Sequence, residues 1–288
     1  MATVRRNPGN VDLGDMASYS TAALPSAGDT LYFGDGNDAY VTNMNALAAI
    51  DLAVLAFAPQ WKGKFDTTAM AVTCDRSDSG VLKFEGSTSG TCKFTGGSTN
   101  KVYKILWYPT AGARGEFTNV VNQVFEITGG SALINSGCTL VNVYVMGGDL
   151  VIDTDGSDTV TGLYCYGGRT TIKRAFTTLY VGPGATVYID TDTYAGGTIN
   201  CEGGVIVWYS GNLATMLLKK GVLDVSKFRR SGQVVQNFES WATAQVLVSS
   251  GGLQPTLGSV TTTPRGSDRG AVIMSAGSGG GAGFGLTG

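Results

Sequence analysis

From about residue 80 onward the chain alternates apolar and polar residues over short runs, and a recurring set of these runs follows glycine. The segments GGDLVID at Gly147, GGRTTIK at Gly167, GPGATVYID at Gly182, GGVIVWY at Gly203 and GVLDVS at Gly221 share this form. The last glycines of these segments stand at positions 148, 168, 184, 204 and 221. They recur at a nearly fixed period, the mark of a repeat architecture. Second short runs lie between them: GLYCY at Gly162, TTLYV at Thr177, GTINC at Gly197 and ATMLL at Ala214. Each period therefore predicts two short strands separated by turns. The same grammar extends upstream through TLVNVYVMGG, SALINSG and QVFEITGG, and less regularly through KVYKILWYP, GTCKFTGG and GVLKFEG, so the repeats span residues 80–228.

Alternation over about five residues sends every second side chain to one face. Leu150 and Ile152, Val187 and Ile189, or Val205 and Val207 then point into a common core. One coil cannot bury such a face, but stacked coils can. The predicted fold is all-β: a right-handed parallel β-helix, or β-solenoid, with glycine at the corners where sharp turns need it. A β-sandwich, whose turn signals recur every ~8–12 residues, is the alternative.

The flanks lack the repeat. Residues 1–18 read as an N-terminal arm and 19–79 as a capping region for the first coil. Within the latter, MNALAAIDLAVLAF (Met44 to Phe57) suits either a helix with Leu47, Ile50, Leu52 and Leu55 on one face or a short buried strand. Residues 229–270 read as a C-terminal cap or oligomerisation region. The Gly-rich stretch 271–288 reads as a flexible tail.

Composition narrows the function classes. Glycine contributes 43 of 288 residues, roughly twice its usual share, and charged residues are only 15%. Net charge is −2 with 20 basic residues spread thinly, so neither nucleic acid nor membrane is an expected partner. Histidine is absent, which removes the commonest general base and metal ligand. The five cysteines (Cys74, Cys92, Cys138, Cys165, Cys201) form no Cys-x-x-Cys pair and read as reduced, buried thiols. No catalytic, cofactor-binding or metal-binding residue is assigned, no cofactor is implied, and an enzyme is not expected. The sequence MATVRRNPGN shows no secretory leader, which places synthesis in the cytoplasm of the producing cell.

The stretch from Tyr19 to Phe65 resembles the opening of tailed-bacteriophage virion structural proteins of the head decoration, cement or head-fibre type. The resemblance rests on Pro25, Gly28 and Asp29 (Pro-x-x-Gly-Asp), the strand around Leu31 and Phe33, the turn from Gly34 to Asn37, and an apolar run ending at Trp61, Gly63 and Lys64. Tyr19-Ser20 stand where an Asn-Trp pair often precedes the proline. Repeat passengers of secreted adhesins share this opening, and the missing leader favours the phage reading. The resemblance implies a virion protein on the outer capsid surface, bound to the major capsid protein and stabilising the head; a homotrimer is expected because capsid lattices offer threefold sites.

Capsid attachment is assigned to Arg5, Arg6, Asn7 and Pro8 in the arm, and an oligomer contact to Arg229, Arg230 and Trp241. A receptor- or glycan-binding fibre is the alternative, with Tyr164, Tyr166, Tyr180, Tyr188, Trp208 and Tyr209 as stacking candidates. A tail-spike depolymerase comes last. Its paired carboxylates have to come from Asp153, Asp155, Asp158, Asp190 and Asp192, which read more simply as turn formers.

Overall fold

The computed structural model describes residues 2–7, 11–34, 40–65, 69–75, 79–96, 101–110, 112–135, 137–153, 159–191, 196–248 and 252–263. It is all-β, built of parallel stacked strands in a β-solenoid. The chain divides into two compact units, residues 1–163 and 164–288.

In the first unit one sheet is laid down strand by strand: Thr3–Arg5, Thr30–Phe33, Val54–Phe57, Val81–Phe84, Lys104–Trp107, Val121–Ile127 and Thr139–Val145. Each pairs in parallel with the next. A second sheet runs Met70–Ala71, Thr91–Thr95, Arg114–Thr118, Ser131–Ile134 and Asp149–Ile152, again parallel throughout. A third, short sheet holds Val11–Asp12, Tyr40–Thr42 and Lys64–Phe65. Parallel neighbours need a long connection between them, and here that connection is one trip around the coil. This pairing sets the sandwich aside, because consecutive strands of a sandwich run antiparallel.

The repeats begin well before residue 80. Thr30 pairs with Val54, and Val54 with Val81, so residues 19–79 form coils of the same stack. In Met44 to Phe57 the structure chooses the strand: residues 44–49 are turns and Val54–Phe57 alternates half-buried and buried. Phe57 is wholly buried in this strand.

Coil length and core composition change together. The early coils are long, with Thr3 partnered by Thr30, Thr30 by Val54 and Val54 by Val81. Later coils are shorter, with Lys104 partnered by Val124 and Val124 by Asn142. The long coils enclose aromatic rings. Phe33 stacks on Phe57 at 4.5 Å and Phe84 on Trp107 at 4.3 Å along the first sheet, while Phe94 stacks on Phe117 at 5.4 Å along the second. Trp61 and Phe65 fill the space between these ladders. In the short coils the same columns continue as Ile127 and Val145, and as Ile134 and Ile152. A longer perimeter encloses more volume, and interiors are filled to a fixed density. Larger side chains go where the coil is longer.

The corner glycines explain the doublets. Gly148 has φ +78, and a Cβ there would lie 2.7 Å from the Gly130 carbonyl oxygen of the coil beneath. Both the backbone conformation and the close stacking of successive corners demand glycine.

The second unit follows the same plan. One sheet contains Phe176–Val181, the first halves of Gly196–Ser210, Leu213–Asp224 and Val234–Leu247, and then Thr256–Thr263. The other contains Gly168–Ile172, Ala185–Asp190 and the second halves of those long strands. The long strands turn the corner without breaking, through register shifts at Cys201/Glu202 and Leu218/Lys220. Such bulges bend a strand and re-aim its side chains. Residues 229–263 therefore continue the coils. The repeat is hidden in their sequence because the coil lengthens again, with Thr215 partnered by Asn237. The tail assigned to 271–288 lies outside the described residues.

Candidate functional site

Three of the four residues assigned to capsid attachment, Arg5, Arg6 and Asn7, belong to the first coil and not to an arm. Thr3–Arg5 is the first strand of the first sheet, with Arg5 opposite Tyr32 and its guanidinium 5.9 Å from that ring. Arg6 points the other way because successive side chains alternate. It is only 6% exposed, and its guanidinium donates to the backbone carbonyls of Ser18 and Asn7. Asn7 Nδ2 donates to the carbonyls of Ala17 and Tyr19 at 2.9 and 3.2 Å. The fully buried Leu13 lies alongside, its carbonyl accepting from the Tyr19 hydroxyl at 2.7 Å. Burial pushes the Tyr19 phenol up to about 12 and pulls Arg6 down. Arg6, Asn7, Leu13 and Tyr19 thus close the first coil. Pro8 lies outside the described residues.

The oligomer-contact residues fall into separate clusters. Arg229 lies 4.6 Å above the Tyr209 ring and pairs with Asp190 at 3.1 Å, and Tyr209 stacks on Tyr188 at 6.2 Å. Arg230 is exposed next to it in the chain. Asp190 also accepts from the Ser210 hydroxyl at 3.2 Å, which gives this carboxylate a structural role in a surface ladder. Trp241 belongs to another group. Asp153 directly follows the strand Asp149–Ile152, its backbone N–H donating to the Ile134 carbonyl at 2.9 Å. Asp155, Asp158 and Asp192 lie outside the described residues, and among those described no three acidic or cysteine side chains converge as metal ligands do. Trp208 is a core residue, wholly buried at 5.1 Å from Phe228, so it offers no stacking surface.

The most developed surface feature is an outward stripe on the second unit. It climbs the corner between the two sheets, one residue per coil. Tyr166, 42% exposed, rests against Tyr180 at 5.3 Å. The Tyr180 hydroxyl donates to Glu202 at 3.4 Å, and Glu202 accepts from Lys219 Nζ at 2.8 Å. Lys219 in turn stands 5.6 Å above the Trp241 ring, whose indole N–H donates to Glu239 at 2.8 Å. The Lys219 ammonium donating to Glu202 is the main cause that holds this carboxyl below its ordinary value. Desolvation, followed by the charge of Glu202, raises Tyr180. Glu202, Lys219, Lys220 and Trp241 line an open hollow of about 220 Å³.

Sequence singles out Tyr166, Tyr180 and Trp241; it does not single out Glu202, Lys219 and Lys220. A signal for two of them is present. Two positions before the repeat glycines at 168, 204 and 221 stand Tyr166, Glu202 and Lys219, and two positions earlier stand Tyr164, Asn200 and Leu217. Columns that close to a shared corner emerge on the same edge of a solenoid.

Compared with models of known protein families, with curated proteins and with solved structures, the chain matches none.

Proposed function

We propose that this chain is a virion structural protein of a tailed phage, a decoration or cement protein that binds the outer surface of the head and strengthens it. The observation that carries the reading is the folding of its phage-like opening. Pro25 to Lys64 supplies the second and third strands of the first sheet, in register with the repeats that follow. The resembling segment is thus an integral part of the coil stack and shares its aromatic core. Such a stack is stiff because every coil is hydrogen-bonded to its neighbours along the backbone. Stiffness with a broad polar surface suits a part whose work is to bind a lattice.

The mechanism is mass action. A protein that binds assembled capsid, and not free subunits, stabilises the assembly by its binding free energy. A homotrimer on threefold positions multiplies modest contacts through avidity, and the Arg229–Asp190–Tyr209 cluster is a surface suited to such contacts.

The test is electron microscopy of heads with and without the protein, paired with thermal disruption of the same particles. Density on threefold or quasi-threefold sites and a raised disruption temperature are expected. Density confined to the tail, or release of shortened chains from host polysaccharide, overturns the reading.

A further inference from the structure

The stripe from Tyr166 to Trp241 has features that a structural ladder does not require. Its five members, Tyr166, Tyr180, Glu202, Lys219 and Trp241, sit on successive coils, and at ~4.8 Å per coil they extend over about 19 Å. Tyr166 is one of the few large apolar side chains left exposed, and Trp241 is half-buried beside the hollow. The other three tryptophans, Trp61, Trp107 and Trp208, are at most 1% exposed. Lys220 is exposed, lines the hollow and has no side-chain partner among the described residues. Lys219 beside it is already committed to Glu202.

These groups define a ligand by its chemistry. The flat rings at either end of the stripe suit the C–H faces of pyranose rings. The carboxylates of Glu202 and Glu239 accept hydrogen bonds from hydroxyls. The uncommitted ammonium of Lys220 attracts an anion into the hollow, where a charge-assisted hydrogen bond fixes it. Hydroxyls, apolar faces and spaced carboxylates occur together in uronic-acid polysaccharides.

We propose that the Tyr166–Trp241 stripe binds an acidic, carboxylate-bearing polysaccharide, with a carboxylate of the ligand at Lys220 and sugar faces on Tyr166 and Trp241. The site goes beyond the capsid-binding reading and does not depend on it.

Because Trp241 is the half-exposed tryptophan, its fluorescence reports the site. The full-length protein is titrated with hexamers of alginate, polygalacturonate and hyaluronan, and with cellohexaose as the neutral counterpart. Saturable quenching by at least one uronate hexamer is expected, at least tenfold tighter than for cellohexaose and weakened by salt. Lys220→Gln is expected to reduce uronate affinity about tenfold and leave cellohexaose unchanged. Tyr166→Ala is expected to weaken both ligands. Trp241→Phe removes the optical signal, and calorimetry then reads the remaining affinity. All three side chains point outward, and circular dichroism checks that each variant is folded. No saturable binding of any uronate, equal affinity for charged and neutral hexamers, or no effect of Lys220→Gln overturns the proposal.

Discussion

At the scale of single residues, alternation decides what a side chain does, and neighbours in sequence have opposite fates. Arg5 and Arg6 look equivalent as a basic pair, yet one faces solvent near Tyr32 and the other is buried under the end of the first coil. Composition alone cannot separate them, because the start of the strand fixes which is inward. The cysteines follow the same rule, and all five are free and buried. Burial pushes the thiols of Cys74, Cys92, Cys165 and Cys201 up, Cys165 to about 12. At a pH of about 8.5, where an ordinary thiol is half ionised, the native protein is therefore expected to leave an aromatic disulfide reagent unreacted, while the unfolded chain reacts at once. A thiol that reacts at full rate in the native protein counts against a closed core. The linkage has a definite sign. An unfolded thiol titrates near ~8.5, so stability is fully present below that pH and falls as pH rises from there toward the folded values. Melting temperature is expected to decline above about pH 8.5, and Cys165→Ala to make that decline shallower.

At the scale of strands and corners, the short coils were legible and the long ones were not. Gly147-Gly148 and Gly203-Gly204 recur at nearly constant spacing because their coils are compact and their corners stack directly. The aromatic column Phe33, Phe57, Phe84 and Trp107 is equally regular in space, but it advances by unequal steps along the chain. A search for a fixed period reaches Phe84 and Trp107 only as irregular members and passes over Phe33 and Phe57. This column holds the first unit together, with Phe84 between Phe57 at 5.3 Å and Trp107 at 4.3 Å. Phe84→Ala is expected to cost about 4 kcal/mol in urea titration, the transfer term of a buried ring plus an unfilled cavity. A cost under about 1 kcal/mol would mean that the ladder packs loosely.

At the scale of the whole molecule, each unit is a stack whose coils touch mainly their neighbours, so stability is local. The two ends of the chain differ in this respect. The first strand is covered by Leu13 and Tyr19, leaving Val4 only 2% exposed. In the last described strand, Thr256–Thr263, Val260 stands opposite the buried Phe238 yet is 40% exposed. Amide exchange is expected to be slow across Val4 and Leu31 and faster across Thr256–Thr263. Equal protection at both ends would contradict the asymmetry. The candidate binding stripe was only half legible because its members are joined through register shifts at residues 201–205 and 218–220. Those shifts cannot be counted from spacing alone. The unequal coil lengths bear on how the molecule can be altered. The long coil from Thr3 to Thr30 and the short one from Val124 to Asn142 belong to one sheet without loss of register, so the extra chain is taken up between strands. The strands act as a fixed frame and the loops as exchangeable inserts, which makes the loops of the long coils, and not the tightly stacked glycine corners, the natural positions for grafting foreign peptides.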